Sequence, residues 1–324
     1  MASIYKRRPD FIGIALLGVF LLGLVAMTVR AVNISAFDGA LTKAIQAGDL
    51  EAMASALQNG ADINADHGNA LKMVIIQAQL QPKQKRQMLD FLFSHGFDKK
   101  AAFVEEGLLD QIIMQSDPAT LEYLLKQGAT FRKNSDKQLN SSLQNTIDAG
   151  QAASAIVLID HGADPNDKNG AGRTPLDAAI SQQQDTVVTA LLKHGAIPNL
   201  KTVNALLLYG GDKNNATFVK SALENGADAN VTDKISGATT LHTAVGHKNR
   251  EMVNLLLRGY ADVNLGDGKH PPLYYAALKG DAEMVRLLLE KGADTKHITG
   301  LVSVARSNGT TALVNMLLAK GAKD

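Results

Sequence analysis

The stretch Gly172-Arg-Thr-Pro-Leu-Asp-Ala-Ala179, closed further on by Leu191-Leu-Lys-His-Gly-Ala-Ile-Pro-Asn199, decides the architecture of this chain. Pro175 suits the first turn of a helix, where its missing N–H costs nothing and its φ is preset. Thr174 before it can cap that helix through its hydroxyl. The Leu191-Leu192 pair ends a second helix with an apolar face to bury, and Gly195 supplies the left-handed residue that terminates it. Asn199 favours the turn into the next element. The stretch therefore reads as two short antiparallel helices followed by a turn.

The closing phrase recurs along the chain. It appears as Leu57-Gln-Asn-Gly-Ala-Asp-Ile-Asn64, Leu92-Phe-Ser-His-Gly-Phe-Asp98, Leu124-Leu-Lys-Gln-Gly-Ala-Thr130 and Leu158-Ile-Asp-His-Gly-Ala-Asp-Pro-Asn166. After Asn199 it returns as Leu223-Glu-Asn-Gly-Ala-Asp-Ala-Asn230, Leu256-Leu-Arg-Gly-Tyr-Ala-Asp-Val-Asn264, Leu288-Leu-Glu-Lys-Gly-Ala-Asp-Thr295 and Leu317-Leu-Ala-Lys-Gly-Ala322. The glycine column falls at 60, 96, 128, 162, 195, 226, 292 and 321, with Tyr260 in the remaining place. Spacings of 29 to 36 residues make this a repeat array, in which each unit buries its apolar face only against its neighbours.

These residues resemble the ankyrin family, whose repeat opens on Thr-Pro-Leu-His-x-Ala and closes on Leu-Leu-x-x-Gly-Ala-Asp-x-Asn. Asp177 stands in the usual His place of the best copy; Gly237-Ala-Thr-Thr-Leu-His-Thr-Ala244 keeps His242 but has Thr240 for Pro; Pro272-Leu-Tyr-Tyr-Ala-Ala277 has Tyr274 for His. The resemblance covers residues 38–324 and implies an all-α solenoid of about nine repeats, caps included, with loop or β-hairpin connections. Terminal helices are expected within Leu41 to Leu57 and Leu301 to Lys320. Tyr260 sits where φ is expected to be positive, so an altered helix end is expected there. The polar stretch Gln77 to Arg86 reads as an extended inter-helix turn, with Lys83, Lys85 and Arg86 as a solvated face and a docking patch as the alternative. The sixth copy lacks the opening phrase and inserts Tyr209-Gly-Gly-Asp-Lys-Asn-Asn215.

Ahead of the array, Phe11 to Val29 is a run of nineteen residues without a charge. At about 1.5 Å per residue a helix of this length approaches the ~30 Å hydrocarbon thickness. Residues 1–10 then form a tail, 11–29 a transmembrane signal-anchor in the lipid bilayer and 30–37 a linker. Lys6, Arg7 and Arg8 precede the span, while the following residues carry few bases, so the positive-inside tendency keeps the N-terminus cytoplasmic and sends the array outward. In a bacterium that is an inner-membrane protein with a periplasmic array. A cleaved signal peptide is the rival reading, although nineteen apolar residues are long for one.

Composition narrows the chemistry. With 33 basic against 32 acidic residues the net charge is +1, which indicates no nucleic-acid surface. The absence of Cys removes disulfides, thiol nucleophiles and thiolate metal sites. His95, His161 and His194 occupy one place in successive phrases, and Asp62, Asp164, Asp228, Asp262 and Asp294 another. Such ladders spread along a stack rather than converging, and helix ends and turns explain them. No nucleotide loop, nucleophile elbow or zinc-protease motif is present. No catalytic residue, cofactor, metal site or small-molecule substrate is expected.

What the resemblance implies instead is protein binding through loop tips and the face of the first helices. The variable positions there are Ala178, Ser181 and Gln182, then Thr243, Gly246 and His247, then Tyr275, Leu278 and Lys279. Loop tips fall near Lys168, Lys234 and Asp267. Tyr275 with Leu278 has the composition of an interface anchor, and its alternative is to fill the stack. The expected function is a membrane-anchored scaffold for a protein partner. A host-directed effector and the regulatory subunit of an enzyme stay open.

Overall fold

The repeat phrases become helices where their capping residues dictate. In the computed structural model, which describes residues 39–65, 69–77, 79–103, 108–129 and 135–323, Thr174 Oγ1 accepts from the Asp177 amide at 3.2 Å and Asp177 Oδ2 accepts from the Thr174 amide at 2.8 Å. This reciprocal box, with Pro175 in the first turn, starts the helix where the sequence places it. Asp49, Asn215, Asn249, Asp281 and Thr310 cap second helices one-sidedly, each accepting from first-turn amides through its side-chain oxygen. The glycine column takes left-handed φ values of 86 to 94° at every described copy.

The chain forms two compact units divided between Lys133 and Asn134. The first contains α1 (Gly39–Ala47), α2 (Leu50–Gln58), α3 (Asn69–Ile76), α4 (Pro82–Ser94), the short α5 (Lys99–Phe103), α6 (Leu108–Met114) and α7 (Pro118–Lys126). First helices α1, α3 and α6 stack in one layer, and α4 packs on α7 in the other. Leu41, Ile45, Leu71, Met88, Leu89 and Leu121 are buried between the layers.

The second unit continues the pattern with six pairs among the described residues. They are α8 (Ser135–Asp148) with α9 (Ala152–Asp160), α10 (Pro175–Ser181) with α11 (Asp185–Lys193), and α12 (Thr202–Asp212) with α13 (Ala216–Glu224). Then come α14 (Thr240–Gly246) with α15 (Arg250–Arg258), α16 (Pro272–Leu278) with α17 (Ala282–Glu290), and α18 (Leu301–Asn308) with α19 (Thr311–Ala319). First helices α8, α10, α12, α14, α16 and α18 pack in sequence, and among second helices α9 packs on α11, α13 on α15 and α17 on α19. No strand occurs among the described residues. The expected hairpin connections reduce to one isolated antiparallel bridge there, Thr232 to Thr239, because Asx turns already satisfy the short connections.

Three expectations need correction. Pro82 opens α4, so Lys83, Lys85 and Arg86 lie on a helix and not in an inter-helix turn. Lys85 is not solvated: it is 4% exposed and pairs with Asp117 at 3.1 Å. The inserted Tyr209–Asp212 is helical and lengthens α12. Tyr260 has φ 67°, but the helix end is unaltered: its amide bonds Leu257 O at 3.3 Å and Ala261 N bonds Leu256 O at 3.0 Å, as at the glycine copies. The apolar segment 11–29 lies outside the described residues; among those described, no helix is long and apolar enough to cross a membrane.

Candidate interaction surface

The first-helix layer of the second unit carries most of the residues singled out from sequence. Gln182, His247 and Lys279 are the C-cap residues of α10, α14 and α16, so stacking places them at equivalent points of one layer, and all three are exposed. Lys213, the C-cap of α12, completes this row. Sequence reading missed it because the sixth copy lacks the opening phrase and its helix runs longer. Its signal was the Lys213-Asn214-Asn215 run, which matches His247-Lys248-Asn249 one repeat on: Asn214 and Lys248 both take positive φ, and Asn215 and Asn249 both cap. Lys213 lies 3.6 Å from Asp185 and over the Tyr209 ring, so part of its charge is already engaged. Ala178, expected on this surface, is fully buried under α10, because small residues let adjacent first helices approach.

Tyr275 and Asp267 are brought together. The Tyr275 hydroxyl donates to Asp267 Oδ2 at 2.5 Å, while Asp267 Oδ1 accepts the amides of Lys269 and His270 at 3.0 Å each. Burial works against the Asp267 charge, but the Tyr275 hydroxyl and these amides outweigh it and hold its carboxyl down to about 2. The same bond pushes the Tyr275 hydroxyl up to about 12. Tyr275 also meets His242, His270 and Tyr274 edge to face, with ring centroids 5.9, 6.3 and 5.8 Å away. It is half-buried, so it both fills the stack and reaches the surface. Leu278 is 37% exposed beside it. The loop tip is thereby fastened to α16.

Lys168 and Lys234 stand exposed on their own loop tips, and no hydrogen bond or ion pair ties them to this group among the described residues. The tip at Lys234 is ordered by Asp233, whose Oδ1 accepts from Ile235 N at 3.1 Å and Ser236 N at 2.8 Å, leaving Ile235 98% exposed. Exposed Ile197 and Leu200 sit on the preceding connection. These aliphatic side chains were not anticipated, since a single Ile or Leu in a loop carries no periodic signal.

The Asp ladder is built of turn-forming bonds. Asp62, Asp164, Asp228 and Asp262 each accept from the amide two residues on, at 2.8 to 2.9 Å. Among the described residues no group of three or more His, Asp or Glu converges in a way that could hold a metal ion.

Comparison with known proteins agrees with this geometry. A family model for ankyrin repeats in three copies matches residues 109–202 and 207–299. The E3 ubiquitin-protein ligase KEG of Arabidopsis thaliana is 25% identical over 225 residues, which is 63% of this chain and 14% of that protein. The human transient receptor potential cation channel subfamily A member 1 is 29% identical over 166 residues, 48% of this chain and 15% of the channel. Human Rabankyrin-5 is 26% identical over 215 residues, 60% of this chain and 18% of that protein. The chain thus spans less than a fifth of the length of each of these relatives. Helix pairs stacked in two layers, a left-handed residue closing each pair and a family match over more than half the chain lead to one conclusion: the chain belongs to the ankyrin-repeat family, whose repeats serve protein–protein interaction.

Proposed function

We propose that this chain is a membrane-tethered scaffold that holds a protein partner on the first-helix layer and loop tips of its second unit. The observation that carries the proposal is the Tyr275–Asp267 bond, which fixes a half-buried aromatic ring beside exposed Leu278 and Lys279. A rigid aromatic loses little entropy on binding, and such residues dominate interface energetics. Gln182, Lys213 and His247 extend the surface along the layer, and Lys168 and Lys234 flank it on the loop tips. The tether rests on the uncharged run Phe11 to Val29, and its orientation on Lys6, Arg7 and Arg8 before it. That orientation puts the array outside the cytoplasm, which in a bacterium is the periplasm.

The test is photo-crosslinking from position 279 in the full chain in its native membrane, with identification of the captured protein. Tyr275→Ala combined with Lys279→Glu is expected to weaken binding of that protein by more than about tenfold. Unchanged affinity removes the assignment. A phosphatase reporter fused after residue 324 reads the orientation: activity is expected outside the cytoplasm, and a cytoplasmic readout reverses it.

A further inference from the structure

The first unit holds an open groove of about 270 Å³ where the opening turns of α4 and α7 meet. Both are second helices of their pairs, so the groove lies on the opposite layer from first helices α3 and α6. Its walls are Pro82, Leu89, Ala119 and Tyr123, with Lys83 and Arg86 at the rim. Leu89 is fully buried, and Tyr123 is held in place because its hydroxyl donates to Asp90. The Arg86 guanidinium stands 5.1 Å from the Tyr123 ring centroid, which fixes one cation over an aromatic face.

The acids nearby are already committed. Asp90 holds the Tyr123 hydroxyl, and Asp117 pairs with buried Lys85 while capping α7 through Thr120. Glu122 pairs with Lys126. Lys83 and Arg86 have no carboxylate partner among the described residues. An apolar recess with two cations at its edge, neither held in an ion pair among the described residues, is complementary to an apolar side chain flanked by carboxylates. Two cations do not make the extended basic surface that nucleic acid requires.

We propose that this groove binds an acidic peptide segment of a partner protein, seating one apolar side chain against Pro82, Ala119 and the edge of Tyr123 while flanking carboxylates meet Lys83 and Arg86. This site is separate from the second-unit surface and does not depend on it. The side chain is buried in the recess and the rim charges set orientation and encounter, so binding weakens as salt rises.

The experiment measures fluorescence anisotropy of labelled pentapeptides against the full chain in detergent. Each carries a central Phe, Tyr or Leu flanked on both sides by Asp and Glu; controls replace the flanks by Lys or the centre by Ala. Saturable binding is expected for acidic peptides, at least about tenfold weaker in the controls, in Lys83→Glu/Arg86→Glu and in Ala119→Trp, which fills the recess. Positions 83, 86 and 119 are exposed, and an unchanged thermal midpoint checks that these variants fold. Tyr275→Ala/Lys279→Glu is expected to bind the peptides as the parent does, which separates this site from the other. The proposal is overturned if no peptide saturates, if Lys-flanked peptides bind equally, or if both groove variants keep full affinity. It is also overturned if phosphatidylglycerol vesicles or a single-stranded oligonucleotide, and not the peptides, lose binding in the double variant.

Discussion

His242 and Tyr260 are single residues whose surroundings set measurable consequences. His242 Nδ1 accepts from the Thr239 amide at 3.1 Å, and its Nε2 lies 3.2 Å from His270 O in the next repeat. Burial holds the ring below the ordinary histidine range, against the opposing pull of the His270 carbonyl and the Asp267 charge. The unfolded chain takes up this proton near pH 6.5 and the folded chain does not. Stability contributed by the neutral ring is therefore present above that pH and lost on acidification towards the depressed folded value. Thermal midpoints between about pH 7.5 and pH 5 should fall for the parent protein and fall less for His242→Gln. Tyr260 pays for its place with a left-handed φ of 67° while 89% exposed. Tyr260→Gly should therefore stabilise by about 1 kcal/mol in urea unfolding, since the ring buries little. Gly259 before it occupies a position with helical φ, where a Cβ would meet both Leu223 methyls at 3.0 Å. The swapped Gly–Tyr order thus answers to the preceding repeat.

At the scale of the element, α12 shows how packing overrides local preference. Intrinsic propensity disfavours Gly210-Gly211 in a helix interior. In the structure a Cβ on Gly210 would lie 2.9 Å from Phe218 Cβ and Val219 N, and one on Gly211 would lie 2.6 Å from Thr240 Cγ2. These glycines let α12 approach α13 and α14 closely. Propensity alone gives Gly211→Ala a gain of about 1 kcal/mol, whereas the clash gives a loss of about 1–3 kcal/mol. A lower chemical-denaturation midpoint is the expected outcome, and a higher one would refute the packing account. The connections between elements show the same dependence. Asn166 donates to Gly195 O at 2.9 Å and accepts from Ile197 N at 2.7 Å; Asn264 likewise donates to Gly292 O at 3.3 Å and accepts from Asp294 N at 2.7 Å. Each asparagine therefore bridges to the next repeat as well as turning its own loop. Where Asn199 instead serves α12, by accepting from Thr202 N, Asn204 takes over and accepts from Asp228 N at 2.9 Å.

At the scale of the whole molecule, a stacked array is stabilised by each repeat and by its contacts with neighbours. In the first unit one such contact is ionic. Lys85 donates to Ile75 O, Gln115 Oε1 and Asp117 Oδ2, each at 3.1 Å, joining two helix pairs. Burial opposes the Asp117 charge, but the Thr120 amide and hydroxyl together with Lys85 hold its carboxyl below the ordinary range. Lys85→Ala leaves that carboxylate buried without its cation and should cost roughly 3–5 kcal/mol. Lys85→Met with Asp117→Asn keeps the cap on α7 and should recover most of the loss. Hydrogen exchange should show the protection lost in α3, α4 and α7 while α14 to α17 keep theirs. Uniform loss across both units would contradict this local origin.

The sequence by itself determined the helix pairs, their phase and the family. Those features rest on local causes that recur, in varying subsets, from copy to copy: a capping hydroxyl or carboxylate, a proline in the first turn, an apolar pair and a left-handed glycine. It also placed Gln182, His247 and Lys279, because each follows a recognisable opening phrase. Only the tertiary structure decided that Lys85 is buried, that Gly210 and Gly211 are helical, that Tyr275 is bonded to Asp267 and that a groove opens between α4 and α7. Each of these depends on a neighbour roughly one repeat away or on another element, and a local pattern carries no record of which side chain stands there.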